Sequence, residues 1–188
     1  MKKALPPLHL VCGDPESDQS MQYIEIKRGI ATALNGRYVA QMNLNHYSEL
    51  DQETITQLNG KMIHRDIWEK ISDATSITVE NQTIHYERGA VHAVFDIACD
   101  FTFPDYSNTL NTVANSEFDR KSFVSFSPEW ITTAKKLFPD RDLIIRFYQS
   151  NNAMIAFPAD KGTPKAFIAF MPNEQIDDVN AVIDFSLS

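Results

Sequence analysis

The residues of this chain that could do chemistry are few and scattered. Five histidines, His9, His46, His64, His85 and His92, could act as bases or metal ligands. His85 and His92 fall on adjacent predicted strands, but no cysteine or carboxylate cluster completes a metal-ligand spacing around them. Asp96, Asp100 and Asp105 have the spacing of strand-end and turn carboxylates rather than of an acid–base pair. The glycines stand alone, so no phosphate loop is encoded, and neither a Gly-x-Ser-x-Gly elbow nor a Cys–His pattern occurs. The expectation is a protein that is not an enzyme, with no cofactor and no metal. Cys12 and Cys99 could pair, but their spacing does not demand it, and they are expected to be buried, reduced thiols.

Charge and apolar surface remain. Lys135 and Lys136, with Arg141 just beyond, lie on the outer face of one predicted helix, and Arg65 and Lys70 on another, interleaved with Asp66 and Glu69. Such faces can meet phosphates without reading bases, or can be ordinary solvated helix surface. The stretch "CDFTFPDYSNTL", Cys99 to Leu110, carries two phenylalanines, a proline and a tyrosine where a polar connection is expected. That much apolar side chain in a linker calls for a surface to cover it.

The whole-chain composition bounds these readings. A chain of 188 residues suits one domain, or one domain plus a piece. It can bury roughly 70% of its unfolded surface and needs no staples. Hydrophobic residues make up 43% and charged residues 22%, ordinary values for a soluble globular protein. The net charge of −8 and the pI near 5.0 argue against gripping nucleic acid by bulk charge, but leave room for a locally basic face. In "MKKALPPLHLVCG", Pro6, Pro7 and His9 interrupt a very short apolar run, so no signal peptide is expected. With no apolar run of membrane-spanning length, the expected location is the cytoplasm.

The elements that would position these residues follow from periodicity. "LHLVC" at 8–12 reads as a short strand, and "DPESDQS" as a polar turn. "MQYIEIKRG" alternates, with Tyr23, Glu25 and Lys27 opposing Ile24 and Ile26. "GIATALNGRYVAQMNL" reads as a hairpin about Asn35-Gly36. "SELDQETITQLNG" reads as a polar connection with at most a helical turn. "HRDIWEKIS" puts Ile67, Trp68 and Ile71 on one helical face, and "SITVENQTIHYERGAVHAVFDIA" reads as three strands. From Ser122 the same order returns. "SFVSF" is a strand, and "SPEWITTAKKLFPD" is a helix capped by Ser127, opened by Pro128 and ended by Pro139. Its apolar stripe is Trp130, Ile131, Ala134, Leu137 and Phe138. "DLIIRFYQ", "NAMIAFPA" and "KAFIAFMP" are three more strands. Residues 61–100 and 122–172 thus read as two β-α-β-β-β units, with 8–45 as a third lacking its first strand and helix.

A tandem β-α-β-β-β unit resembles the building block of the DNA sliding clamp fold, in particular the bacterial β clamp family. "NGRYVA" at 35–40 looks like that family's "DGHRLA", with Arg37-Tyr38 in place of its His-Arg. "FPDY" at 103–106 matches the segment joining the clamp's middle and last domains, and "AFIAFMP" at 166–172 is similar to its last strand. The resemblance implies an α+β fold: antiparallel sheets with two short helices on one face. It implies a clamp-like domain over 1–115 that lacks its first strand and helix, and over 116–188 a further half-unit plus a C-terminal tail, packed as one globular body. The family's three domains of two units each exceed what this chain can hold, and "NEQIDDVNAVIDFSLS" continues where the family chain stops.

The function so implied is that of a non-enzymatic, processivity-factor-like replication accessory. The resemblance puts a peptide-binding groove along Leu34, Gly36, Arg37, Tyr38 and Val39 on one wall. Pro104, Asn108 and Thr109 fall along the connecting segment, and Ala169, Met171 and Pro172 on the other wall. The implied occupant is a short apolar motif from a DNA polymerase or clamp loader. The implied DNA-facing residues are Lys135, Lys136, Arg141, Arg65 and Lys70, holding duplex weakly and without sequence preference, and a homo-oligomer would be needed to close a ring. The alternative is a clamp remnant or mobile-element scaffold that binds protein partners without encircling DNA.

Overall fold

The computed structural model describes residues 4–115, 127–148, 153–162 and 164–170. The predicted strand at 122–126, Met171, Pro172 and the tail beyond lie outside the described residues. In chain order the elements begin with strands β1 (Tyr23–Lys27), β2 (Ile30–Leu34) and β3 (Tyr38–Asn43). Helices α1 (Leu44–Tyr47) and α2 (Gln52–Leu58), strand β4 (Met62–His64) and helix α3 (Arg65–Ile71) follow. Then come β5 (Ser76–Glu80), β6 (Thr83–Arg88), β7 (Val91–Asp96), α4 (Ser107–Ala114), α5 (Pro128–Leu137), β8 (Leu143–Phe147), β9 (Met154–Pro158) and β10 (Ala166–Phe170). The fold is α+β with antiparallel sheets. Seven strands join in the order β4-β1-β2-β3-β10-β9-β8, and β5-β6-β7 form a second sheet. No described helix is long and apolar enough to cross a membrane.

Turn chemistry sets the hairpins. Asn35 Oδ1 accepts from the backbone N–H groups of Arg37 (3.1 Å) and Tyr38 (2.9 Å), and Gly36 takes φ +81°. Only a residue tolerant of the left-handed region closes such a loop cheaply, so the β2–β3 hairpin forms where Asn-Gly predicts it. Between β1 and β2 the two-residue loop is Arg28-Gly29, with φ +53° and +72°. Helix α5 begins as predicted, with Ser127 Oγ accepting from the Glu129 N–H at 3.3 Å and Pro128 in the first turn. Its Trp130, Ala134 and Leu137, at spacings of four and three, are buried, as are Trp68 and Ile71 of α3.

Both helix stripes enter one core with Ile24, Ile26, Met42, Ile63, Ile84, Met154, Ile168 and Phe170. That core draws on the chain from Ala4 to Phe170, and β3 pairs with β10 across it. Between α3 and α5 sits the segment expected to be a strand at 8–12. It is instead a 3-10 turn over Leu8–Leu10, because Pro6 and Pro7 lead into it and the Val11 N–H closes back on the Leu8 carbonyl at 3.0 Å. Leu5 and Leu8 are fully buried there, and Trp68 Nε1 donates to the Pro6 carbonyl at 2.7 Å. The connection at 48–60 is more structured than expected. Asp51 Oδ1 caps α2 through the Thr54 N–H at 2.7 Å, and Ile55 and Leu58 are buried. The unit over 61–100 has its predicted element order, but its strands divide: β4 joins β1 in the large sheet, while β5–β7 stand apart.

Candidate functional site

Strand alternation decides which predicted groove residues can meet. The register opposes Leu34 to Val39 and Val39 to Ala169. Opposed residues of antiparallel strands project to the same face. Leu34, Val39 and Ala169 therefore form one row, on the face turned away from the main core. Tyr38 and Phe170 are opposed one position along and project to the core face. There the Tyr38 ring meets Phe170 edge-on with centroids 5.3 Å apart, and Phe170 stacks on Trp130 at 5.3 Å. Burial, and after it the negative charge of Glu129, pushes the Tyr38 hydroxyl above its ordinary pKa. Tyr38 is a core side chain, and its ring does not join the groove row.

The apolar linker covers that row. Phe103 is buried against Leu34 and Val39, with Met21, Met62, Tyr106 and Leu110 packed around them. Phe103 and Tyr106 meet edge-on at 6.0 Å. The Tyr106 hydroxyl lies 3.2 Å from Thr32 Oγ1, and Gln41 Nε2 donates to it at 3.1 Å and to Thr32 Oγ1 at 3.2 Å. Thr32 and Gln41 are opposed in the next row of the same face, so the tyrosine pins the linker to the sheet by a polar triangle. Asp105 Oδ1 then accepts from the Ser107 N–H at 2.9 Å, turning the chain into α4. The aromatic residues of "FPDY" are a strap over the second face of the sheet, which accounts for their presence in a connection.

The remaining groove residues form a rim. Gly36 is at the hairpin tip, Arg37 beside it is exposed, Pro104 is half-buried, and Asn108 is exposed in the first turn of α4, with Thr109 next in that helix. Met171 and Pro172 lie outside the described residues. The floor is already covered: Leu34 is 4% exposed, Val39 3% and Ala169 0%.

Neither a comparison with protein-family models nor one with curated proteins finds a match.

The predicted DNA-facing cations divide. Arg65 Nη1 donates to the Gly13 carbonyl at 2.6 Å, and its Nε is 3.9 Å from Asp66. Lys70 Nζ lies 5.9 Å from the Phe95 ring centroid. Arg141 Nη1 bonds Asp160 Oδ1 at 2.6 Å. Each of these three has a partner within the fold. Lys135 and Lys136 are exposed in the last turn of α5, where the helix dipole favours positive charge.

The histidines on the small sheet each face a carboxylate of that sheet, His85 with Glu80 at 3.7 Å and His92 with Glu87 at 3.3 Å. Among the described residues no group of three His, Cys, Asp or Glu is placed to hold a metal. Both cysteines are free, Cys12 buried and Cys99 only partly so, which differs from the expected pair of buried thiols. Helix α4 escaped the sequence reading, although Tyr106, Leu110 and Val113 follow helical spacing and Asp105 is a helix-start residue.

Proposed function

We propose that this protein is a non-enzymatic, clamp-like replication accessory that takes a short apolar peptide at the rim of the β2–β3, β10 and "FPDY" surface. The observation that carries this reading is the pairing of β3 with β10, in register from Tyr38–Phe170 to Met42–Ala166. Two segments far apart in the chain, each resembling a wall of the clamp's peptide pocket, are hydrogen-bonded neighbours, and the third lies packed over them. Because Phe103 already covers Leu34 and Val39, an incoming Leu or Phe anchor packs beside the strap, against Pro104 and the hairpin tip. Burying one such anchor contributes roughly 1.5–3 kcal/mol. Arg37 at the rim holds a peptide carbonyl or acid.

A second reading has its own support. Arg65, Lys70 and Arg141 each have a partner within the fold. That favours a scaffold that binds protein partners without encircling DNA. The two readings part on solution mass: a multimer large enough to close a ring supports the replication accessory, and a monomer supports the scaffold.

The groove itself is tested by titrating the protein with a clamp-binding-motif peptide while following the Leu34 and Val39 methyls and the Tyr106 ring by NMR. Saturable shifts that disappear in an Arg37→Glu variant are expected. An unchanged spectrum at millimolar peptide rejects the groove.

A further inference from the structure

A cleft that shares none of the groove residues lies on the core side of the large sheet. It has two halves that meet at Tyr47, His46 and Arg141. One half, of about 480 Å³, is walled by Leu5, Pro6, Pro7 and Leu10 of the N-terminal turn and by Leu137 and Pro139 at the end of α5, with Glu49, Lys136 and Asp140 also lining it. The other, of about 410 Å³, is walled by Arg141, Lys161 and Lys165, with Asp160 and Gly162 between them. Both volumes fall in the range of small-molecule sites.

The junction is built rather than incidental. Tyr47 Oη donates to Asp160 Oδ2 at 2.9 Å, and Arg141 Nη1 donates to Asp160 Oδ1 at 2.6 Å. One carboxylate thus fixes both side chains where the halves meet. A guanidinium has five N–H donors, so a single bond to Asp160 leaves it able to grip an oxyanion as well. The charge count on this wall is three cations, Arg141, Lys161 and Lys165, against the single carboxylate Asp160. This surplus of two positive charges belongs to the phosphate-side half, since the other half adds Lys136 against Glu49 and Asp140, and it stands in a chain whose net charge is −8. A phosphate monoester carries about −1.5 to −2 charges at neutral pH, which matches that surplus better than the single charge of a carboxylate.

We infer that this cleft binds a small phosphate monoester with an apolar body. The phosphate lies on Arg141, Lys161, Lys165 and His46, and the apolar body lies between the proline-rich turn and the end of α5. The site is independent of the peptide groove, so each can fail without the other, but it shares Lys136 and Arg141 with the candidate DNA face.

The test is calorimetric titration of the full chain with 1-naphthyl phosphate, and separately with its halves, 1-naphthol and inorganic phosphate. The whole ester is expected to bind at least about tenfold more tightly than either half. The double variant Lys161→Glu, Lys165→Glu is expected to weaken it at least about tenfold, as is Leu10→Glu. All three positions are exposed, and an unchanged thermal midpoint verifies that the variants are folded. Equal affinity for inorganic phosphate alone overturns the proposal, as does an unaffected double variant or an absence of heat at millimolar ester. Displacement of the ester by a short DNA duplex also overturns it, since the basic wall is then a backbone-binding face.

Discussion

Cys12 and Cys99 are the same side chain in two settings, and their reactivity should separate them. Burial pushes the Cys12 thiol up to about 12, with the Arg65 charge pulling weakly the other way. Cys99 is also raised by burial and by Asp100, but it remains partly exposed. Because the thiolate is the nucleophile, a disulfide reagent at pH 8 is expected to label Cys99 first and Cys12 only as the protein opens. Equal labelling rates in the native protein would refute this. The stability consequence has a definite sign. The unfolded Cys12 ionises near its ordinary value of 9.0 while the folded thiol holds its proton to about 12. Its contribution is therefore complete below pH 9 and is lost as pH rises from 9 toward 12, at up to about 1.4 kcal/mol per pH unit. A Cys12→Ala variant should flatten that alkaline slope in urea unfolding.

At the scale of elements, the β1–β2 hairpin contains a local conflict. Its two-residue loop needs positive φ at both positions, which Gly29 supplies at no steric cost and Arg28 does not. Arg28 is exposed, so Arg28→Asn should relieve the conflict and add roughly 0.5–1 kcal/mol of stability, read as a higher urea midpoint at constant slope. A lower midpoint would mean that the arginine side chain holds the hairpin in another way. The contrast with Asn35-Gly36 explains what could be read from the chain. Where local chemistry agreed with the fold, as at Asn35-Gly36, Ser127-Pro128 and the three strands after Ser76, elements were legible. Where a tertiary demand decided, they were not. Leu8 to Cys12 has the composition of a strand, but two prolines and the space between α3 and α5 make it a 3-10 turn. Tyr38 and Val39 are adjacent in the predicted groove wall, yet a strand sends neighbours to opposite faces. The alternation was in the sequence; the face that would become core was set by where Trp130 and Phe170 packed.

For the molecule as a whole, charge is the quantity most open to measurement. Three cations, Lys135, Lys136 and Arg141, would give a log–log salt slope of about −3 for duplex DNA. Arg141 keeps N–H donors beyond its bond to Asp160, so the slope should be no steeper than that value. Binding is expected to be weak at low salt and lost in a Lys135→Glu, Lys136→Glu double variant. A steeper slope, or a double variant that retains duplex, would place the DNA face elsewhere.

The pairing of β3 with β10 also sets an order of events during folding. Strands β1 to β3 are made early in synthesis and can zip locally through short hairpins, but β3 keeps an unmatched edge until β10 emerges. For an intervening stretch of this length the entropy of closure is about 4 kcal/mol, reduced if β5–β7 have collapsed in the meantime. Closing the large sheet is therefore expected to come late, and a nascent chain stalled before Ala166 carries an open strand edge at Tyr38–Asn43. Such a chain presents a template for intermolecular strand addition, a hazard that ends once the two distant strands meet.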